Sequence, residues 1–479
     1  MLLPFLSSKS ARLTLGTYGP PLLNLPLALG QDGIATHKHV IGTTGQGKSK
    51  LLASLFLQLL HQNIGCALID PHADLARDVL SSLVATGYFD NEAAFERLLF
   101  VDFSRQDRLL PFNVLAVPYE GHQVANQINE VCKRAWPALS DGAAPQFENI
   151  LLASVLVLIE NSLPITSMPK LLTVKSFRDG LLSRVSDPQV VSFFHDRFDR
   201  WGREAPTMIE STLRRVFLLT FSPTLRYTLG QKANALDFRK LMDQGISVLF
   251  NLGGLDEDTQ RFLGCLITVG YEVAALSRAD LPEDERRQYH LIMDEFSMFS
   301  AQSEESLSRV LSLARKYGLY LTLAHQTWSQ LSSHLKGALQ NAIEICFKVG
   351  PDDAAWAAPR FARYDPYLIK HNVVDPYQVE RTHPLYFTVQ EILHGWAQAL
   401  TDLKPRQAFV KVGQKTSRIR TRTFPTPRCT MTQLSAVKEQ YAQLLLTPKK
   451  TAIAEVEPEA IQKPASVRRT VSVHEEDAQ

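Results

Sequence analysis

The sequence has few of the features that are typical of secreted proteins, of proteins stabilised by a bound metal and of membrane-spanning proteins. Its 479 residues include five cysteines, and no two of them are close enough to form a CxxC pair. Scattered cysteines in an odd number argue against a zinc site or a disulfide framework and indicate free thiols in a reducing cytoplasm. Prolines and glycines interrupt the charge-free stretch 13–31, and no basic segment of a signal peptide precedes it. We therefore expect no transmembrane segment of the chain's own.

An excess of charge of one sign is also missing. The chain has 51 lysines and arginines against 49 aspartates and glutamates. This balance excludes a bulk polycation, so any contact with nucleic acid would have to come from a local patch. The hydrophobic fraction of 45% is that of a globular protein, and the length allows about three domains. We find no internal repeat.

What the sequence does contain is a glycine-rich loop between a short β-branched run and a segment with leucines at helical spacing. In this setting, glycine, four residues and then Gly-Lys-Ser indicate a phosphate-binding loop. Its backbone N–H groups and the following helix N-terminus hold phosphates, its lysine reaches the β- and γ-phosphates, and its serine ligates Mg²⁺. We predict ATP and Mg²⁺ as cofactors. The predicted loop residues are Gly42, Thr43, Thr44, Gly45, Gln46, Gly47, Lys48 and Ser49.

A second motif consists of two acidic residues at the end of an apolar strand predicted over residues 289–293. Asp294 and Glu295 follow that strand directly. In a parallel sheet, ligand sites lie beyond the carboxyl ends of the strands, which would place both acids near the glycine loop. We predict that Asp294 holds the Mg²⁺ with Ser49 and that Glu295 orients or polarises the attacking water.

Two further polar residues are ambiguous when read alone. Gln326 follows a predicted strand over residues 319–324, where it could contact the γ-phosphate or be an ordinary loop glutamine. Arg315 reads as a cation at the C-terminus of a helix predicted over residues 304–317, a position that the helix dipole favours.

The order of predicted elements indicates an α/β protein with a parallel-dominated, doubly wound sheet and a large all-α insertion. Helical periodicity without a convincing strand defines the insertion, which is too long to be a loop. We predict a short lead-in of extended or β type (1–35), a first core part (36–120), the all-α insertion (121–236), a second core part (237–350), a C-terminal part of the motor domain (351–445) and a disordered tail (446–479).

Six blocks of this sequence resemble the conjugative coupling ATPases of type IV secretion (TraG/TraD-like) within the HerA/FtsK superfamily. The resemblance spans about residues 36–415. The blocks are residues 39–49, 68–75, the strand ending in Asp294-Glu295, 314–319, 324–326 and 347–354. The second block departs from the usual pattern in having Ala73 where glycine is common.

The resemblance implies a RecA-like P-loop NTPase fold with an all-α insertion. It also implies an ATP-hydrolysing DNA translocase that assembles as a homo-hexameric ring around single- or double-stranded DNA without reading its sequence. It implies that Arg315 is an arginine finger acting on the neighbouring subunit's γ-phosphate and that Gln326 is a sensor. The catalytic set is then Lys48, Glu295, Arg315 and Gln326. Relaxase and secretion-channel proteins are the implied partners, with a cytoplasmic location or peripheral attachment to the inner face of the cell membrane through them.

Two other functions remain open at this point. Membrane-anchored members of the family begin with transmembrane helices, and their absence here favours a soluble HerA-like ATPase that acts in DNA repair or resection with a nuclease. The helical insertion and the blocks around Gln326 and Phe347 favour the coupling type. A P-loop protein that uses ATP only as a switch is the third alternative, against which Glu295 argues because a switch needs no water-activating acid.

Overall fold

A mixed sheet of eleven strands organises the chain. The computed structural model describes residues 11–20, 24–136, 145–299, 311, 313–375, 378–424 and 429–457. Across the sheet the strands follow the order β2, β1, β14, β13, β10, β3, β9, β8, β4, β7, β5. The strands are β1 Leu13–Tyr18, β2 Leu25–Leu29, β3 Lys38–Ile41, β4 Gly65–Asp70, β5 Leu98–Asp102, β6 Arg108–Leu109, β7 Ser247–Asn251, β8 Tyr289–Met293, β9 Leu319–His325, β10 Ile343–Cys346, β11 Ile369–Asp375, β12 Gln378–Tyr386, β13 Gln407–Val412, β14 Lys415–Thr421 and β15 Thr447–Pro448.

The seven strands from β10 to β5 run parallel. Helices cover both of their faces, which is why β4, β7 and β8 are buried along their whole length and read as continuous apolar runs. The α-helices are α1 Gln31–Ile34, α2 Lys48–His61, α3 Asp74–Ala85, α4 Ala94–Arg97, α5 Gly121–Ala135, α6 Pro145–Glu160, α7 Met168–Thr173, α8 Lys175–Leu182, α9 Pro188–Ser192, α10 Ala205–Phe221, α11 Pro223–Leu229, α12 Phe238–Gln244, α13 Glu257–Ser277, α14 Ser333–Ala338, α15 Pro351–Phe361, α16 Val389–Thr401, α17 Met431–Leu445 and α18 Lys449–Val456. This architecture confirms the predicted fold class.

The segment between the two halves of the sheet is helical. Its described residues form α5 to α11 and, apart from an isolated bridge at Asn234, no strand. A buried ion pair joins this insertion to the core, because the Arg134 guanidinium on α5 donates two hydrogen bonds of 2.7 Å to the Glu272 carboxylate on α13. The bidentate geometry fixes the orientation of α5 on the central helix α13.

Four antiparallel strands extend the sheet beyond β10. The strands β13 and β14 form a hairpin, and β14 pairs with β1, which pairs with β2. The N-terminal segment was predicted as a separate lead-in, but its two strands belong to the main sheet. Local sequence carries no signal for this, because β1 and β14 are about 400 residues apart in the chain and their pairing is decided by tertiary contacts.

The prediction of a disordered tail from residue 446 is wrong for its first part. The strand β15 pairs with β6, and α18 packs on α11 with Ala452 fully buried. A mixed charge pattern without aromatic residues hid this short amphipathic helix. Residues 458–479 of the predicted tail lie outside the described part of the chain, as do residues 304–310 and 312 of the helix predicted over 304–317, where the described residues Ala314–Tyr317 form a 3₁₀ turn.

One helical stretch in the described residues, Glu257–Asp280, has the length and apolarity of a membrane span. Two helices that meet at a bend, Gln146–Glu160 and Ile165–Thr173, would qualify only if they were counted together as one broken span. The expectation of no transmembrane segment is not overturned by residues 257–280, because a mostly buried core helix can also have this length and apolarity. That stretch is 78% buried inside the protein, where it packs on α5 and α12. Core helices of large α/β folds are apolar on all sides for this reason.

Candidate active site

The glycine loop joins the buried strand β3 to the helix α2 at the carboxyl edge of the parallel strands. Three of its glycines have positive φ: 156° at Gly42, 76° at Gly45 and 107° at Gly47. A Cβ atom on Gly42 would lie 2.6 Å from the Cβ of Phe347, so a side chain there would collide with the end of β10. Glycine is therefore required for the left-handed backbone and for the close approach of the two strands.

Lys48, the first residue of α2, lies over this loop. Its ammonium donates hydrogen bonds to the carbonyl oxygens of Gly42 at 2.6 Å and Thr43 at 3.3 Å. Its side chain is buried, and desolvation lowers its pKa, while the carboxylates of Glu295 and Asp294 act in the opposite direction. The loop thus encloses a cation next to its own N–H groups, which is an arrangement suited to phosphate.

Ser49 and Asp294 meet beside that lysine. The hydroxyl of Ser49 donates a hydrogen bond of 2.9 Å to the Oδ2 atom of Asp294. Asp294 directly follows β8 and is buried; burial raises its pKa, and the hydrogen bond from Ser49 lowers it. A hydroxyl and a carboxylate at the phosphate loop are the oxygen donors that Mg²⁺ prefers.

Glu295 and Gln326 form the next contact. The side-chain amide of Gln326 donates a hydrogen bond of 3.0 Å to the Oε1 atom of Glu295. Glu295 has a positive φ of 46°, an unusual backbone conformation for a residue with a side chain. Because Gln326 directly follows β9, which lies between β3 and β8, the strand order brings the amide to the carboxylate. Sequence analysis predicted Gln326 near the γ-phosphate; its observed partner is Glu295.

A pair of buried histidines lies under the loop. His39 on β3 and His325 at the end of β9 stack and share a hydrogen bond between their Nε2 atoms. The Nδ1 atom of His325 lies 2.9 Å from the carbonyl oxygen of Thr327 and must therefore carry the proton. His39 is then the donor in the pair. Burial lowers the pKa of both rings, that of His325 to about 4. This neutral pair ties the strand of the glycine loop to the strand of Gln326.

The other side of the loop rests on residues that sequence analysis missed. The N–H of Thr43 donates to the carbonyl oxygen of Lys348 at 2.9 Å, and the N–H of Arg406 donates to the carbonyl oxygen of Gln46 at the same distance. Lys348 lies in residues 347–354, one of the six blocks that resemble the coupling ATPases, but the resemblance assigns it no role. Arg406 precedes the antiparallel strand β13, and no local pattern connects it with a loop 360 residues earlier.

Arg315 is not at this site. It lies in the 3₁₀ turn that precedes β9, so it is at the amino edge of the sheet, whereas the other predicted residues are at the carboxyl edge. The seven residues of β9 separate the two edges by about 20 Å. Arg315 is exposed, and its guanidinium forms no hydrogen bond or ion pair within the described residues.

No protein-family model and no curated protein match this sequence. Solved structures do match its fold. A crystal form of the bacterial conjugative coupling protein TrwB without its first 70 residues has a TM-score of 0.60 at 17% identity, covering 88% of this chain and 92% of that one. TrwB in complex with ADP and Mg²⁺ has a TM-score of 0.58 at 16% identity over 89% and 98% of the two chains. VirB4 of Thermoanaerobacter pseudethanolicus has a TM-score of 0.54 at 10% identity over 87% and 97%.

These likenesses establish the fold and its extent. They cover the helical insertion as well as the sheet, since nearly nine-tenths of this chain is included. The fold found by comparison is the fold that the resemblance drawn from the six sequence blocks implies.

Proposed function

We propose that the chain is an ATP-hydrolysing, DNA-translocating motor of the conjugative coupling type, which works as a homo-hexameric ring. One observation carries this proposal: beside a phosphate loop, Ser49 is hydrogen-bonded to Asp294 and Gln326 to Glu295. A protein that only binds nucleotide would need the first pair but not the second. The fold likeness to TrwB, which has been solved with an ATP analogue and with ADP and Mg²⁺, supports the choice of ATP and of the coupling type.

The residues present fit the predicted cofactors. The left-handed glycines leave the loop N–H groups free of side-chain cover, and Lys48 supplies a buried positive charge. Ser49 and Asp294 would hold Mg²⁺, which when bound neutralises charge on the phosphate oxygens. Thr43 and Gln46 would keep the loop in position through their bonds to Lys348 and Arg406.

Glu295 would act as the group that orients and polarises water. Its Oε1 atom is held by the amide of Gln326, which leaves the second carboxylate oxygen to accept a hydrogen bond from water. Gln326 is then a positioning residue, and it would also transmit a displacement of Glu295 to β9.

Arg315 would act on the site of a neighbouring subunit. Within one chain it lies at the opposite edge of the sheet from Lys48, so a second copy must bring it to the triphosphate. A cation supplied in this way stabilises the charge that develops during phosphoryl transfer and is worth about 10³–10⁵ in rate. Hydrolysis should therefore depend on assembly.

The translocated substrate would be DNA, held by backbone-directed contacts that do not read its sequence. Relaxase and secretion-channel proteins are the proposed partners. We place the protein in the cytoplasm or, through those partners, at the inner face of the cell membrane. Copurification with a nuclease instead would favour the HerA-like repair function.

The test is the ATPase rate per subunit as a function of protein concentration, with and without DNA. We expect the rate to rise steeply over the concentration range in which rings form and to rise again with DNA. Lys48→Ala should lower it by at least about 100-fold, because the variant loses the cation at the phosphates. Lys50→Ala is the matched control, since Lys50 lies on the same helix but is exposed and paired with Asp78. A monomer that hydrolyses ATP at full rate without responding to DNA would exclude the motor.

A further inference from the structure

A basic segment near the C-terminus includes Arg406, which supports the glycine loop, and further cations with no role assigned in the site described above. Between residues 403 and 438 the sequence has nine lysines and arginines and no aspartate or glutamate. The chain as a whole is almost balanced, so this segment is a local concentration of positive charge. Such a patch creates a field that attracts polyanions.

The fold arranges these charges on one face of a strand. Arg418 and Arg420 are two residues apart on β14, so their side chains leave the same face of the sheet about 7 Å apart. Arg422 follows two residues later. All three side chains are exposed and none forms an ion pair within the described residues. Arg418 donates a hydrogen bond of 2.9 Å to the Gln407 side-chain oxygen, which orients its guanidinium along the neighbouring strand.

A cleft of about 450 Å³ lies between these arginines and the end of β1. Arg418 and Arg420 line one side, and Thr17 and Tyr18 line the other. Tyr18 is 39% exposed, so part of this residue is accessible to a ligand in the cleft. The cleft therefore combines two guanidinium groups that form no ion pair within the described residues with a hydroxyl and an aromatic ring.

A carboxylate that shares an adjacent groove with Arg418 is Glu391. Glu391 is already engaged, because it forms an ion pair with Lys370 and accepts hydrogen bonds from Thr388. It therefore offers little neutralisation of Arg418, which leaves the arginines available to an external anion.

We propose that this cleft binds the sugar–phosphate backbone of a nucleic acid strand. Arginines at alternate positions can each take one phosphate of an extended backbone, and the guanidinium fork suits phosphate oxygens. An aromatic ring beside them provides the stacking surface common in single-strand sites. A lipid bilayer fits less well, because a flat anionic surface cannot enter a concave cleft.

The cleft is also close to the nucleotide loop. Arg406 donates its N–H to Gln46 of that loop and its Nη2 atom to the carbonyl oxygen of Thr421, which ends β14. A nucleic acid strand bound at Arg418 and Arg420 would therefore contact the β13–β14 hairpin, which also supports the glycine loop. The inference rests on the proposed DNA-dependent function and assigns to it a contact surface on the β1–β14–β13 face.

The experiment is a fluorescence-anisotropy titration of an oligonucleotide of about 20 thymidines at several KCl concentrations. Arg418→Gln/Arg420→Gln is compared with the wild type and with Arg184→Gln/Lys240→Gln, which removes two exposed cations from other surfaces. We expect the first variant to bind about tenfold or more weakly at low salt and to lower the slope of log K against log salt by about 1.4, the contribution of two phosphates. The control should match the wild type, and Arg418→Lys/Arg420→Lys should keep most of the slope.

The outcomes separate this inference from the proposed function. If the wild type binds the oligonucleotide and the Arg418/Arg420 variant has the control's affinity and slope, the cleft assignment is wrong and the motor is untouched. If the wild type binds no DNA and hydrolyses ATP without it, the proposed function itself fails. If the variant loses binding to phosphatidylserine vesicles but not to DNA, the face is a membrane surface and the inference is overturned. If the variant also lowers the slope of log K against log salt for a duplex of equal length, the result supports the inference for the backbone of double-stranded DNA.

Discussion

At the carboxyl ends of the parallel strands the polar side chains already contact one another, whereas at the amino ends the guanidinium of Arg315 has no hydrogen bond or ion pair among the described residues. Lys48 bonds the loop carbonyls, Ser49 bonds Asp294, and Gln326 bonds Glu295. Arg315 is exposed on the last turn before β9. The carboxyl edge is organised within one chain, whereas the amino edge exposes a cation that a second molecule could contact.

This difference explains how one fold can make hydrolysis depend on assembly. A self-contained edge can bind nucleotide in a single subunit, because all its ligating groups are in place. Under the proposed function, Arg315 would reach the triphosphate only from a second copy, since about 20 Å of strand separates the two edges of the same chain. The loss of activity caused by a substitution at one edge should therefore differ from that at the other edge in whether a neighbouring subunit can compensate for it.

The largest effect should come from the amino edge. Arg315→Ala should lower turnover by about 10³-fold or more, because charge on the γ-phosphate loses its neutralising cation. ATP affinity should change little, since no contact of Arg315 reaches the loop of its own chain. The measurement is steady-state ATPase with nucleotide binding followed separately. Lys316→Ala, an exposed neighbour on the same turn, is the control and should keep the wild-type rate.

Mixing the defective subunits sharpens this prediction. Arg315→Ala subunits have an intact loop and Lys48→Ala subunits have an intact finger, so mixed rings should regain part of the activity that neither variant has alone. No recovery on mixing, under conditions in which the two variants are shown to co-assemble, would mean that Arg315 does not act in trans.

The next effect is at the carboxyl edge. Glu295→Gln keeps the size of the side chain but removes its ability to polarise water, so hydrolysis should fall by about 10²–10⁴-fold with ATP binding retained. Glu283→Gln, an exposed acid before the same strand, should have no effect. Single-turnover hydrolysis measures this step directly. A wild-type rate no faster than that of Glu295→Gln would support an ATP switch instead of a motor.

A smaller effect should come from the residue that holds Glu295. Gln326→Ala removes the hydrogen bond that orients the carboxylate, and we expect about a tenfold loss in kcat with KM unchanged, the usual size for a hydrogen bond to a charged group. Ser329→Ala on the same loop is the control, since Ser329 is exposed and lies away from Glu295. A rise in KM with an unchanged kcat would indicate that Gln326 binds nucleotide and does not position Glu295.

Much of the core could be read from local patterns. The strands β4, β7 and β8 are continuous apolar runs because both faces of the sheet are covered, and the glycine loop is defined by backbone conformations that only glycine adopts readily. The strands β1 and β14 could not be predicted as partners, because antiparallel pairing across such a separation leaves no periodic signal. The helix α18 was missed for a related reason, since its burial depends on α11 and on β6.

By itself the sequence determined the phosphate loop, the acids after β8 and the identity of Arg315 and Gln326 as polar residues at strand ends, because these depend on residue type and short spacing. The tertiary structure alone decided which of them meet. The position of β9 between β3 and β8 brings Gln326 to Glu295 and leaves Arg315 at the far edge. The order of strands in a sheet is set by long-range packing, which no local pattern in the chain encodes.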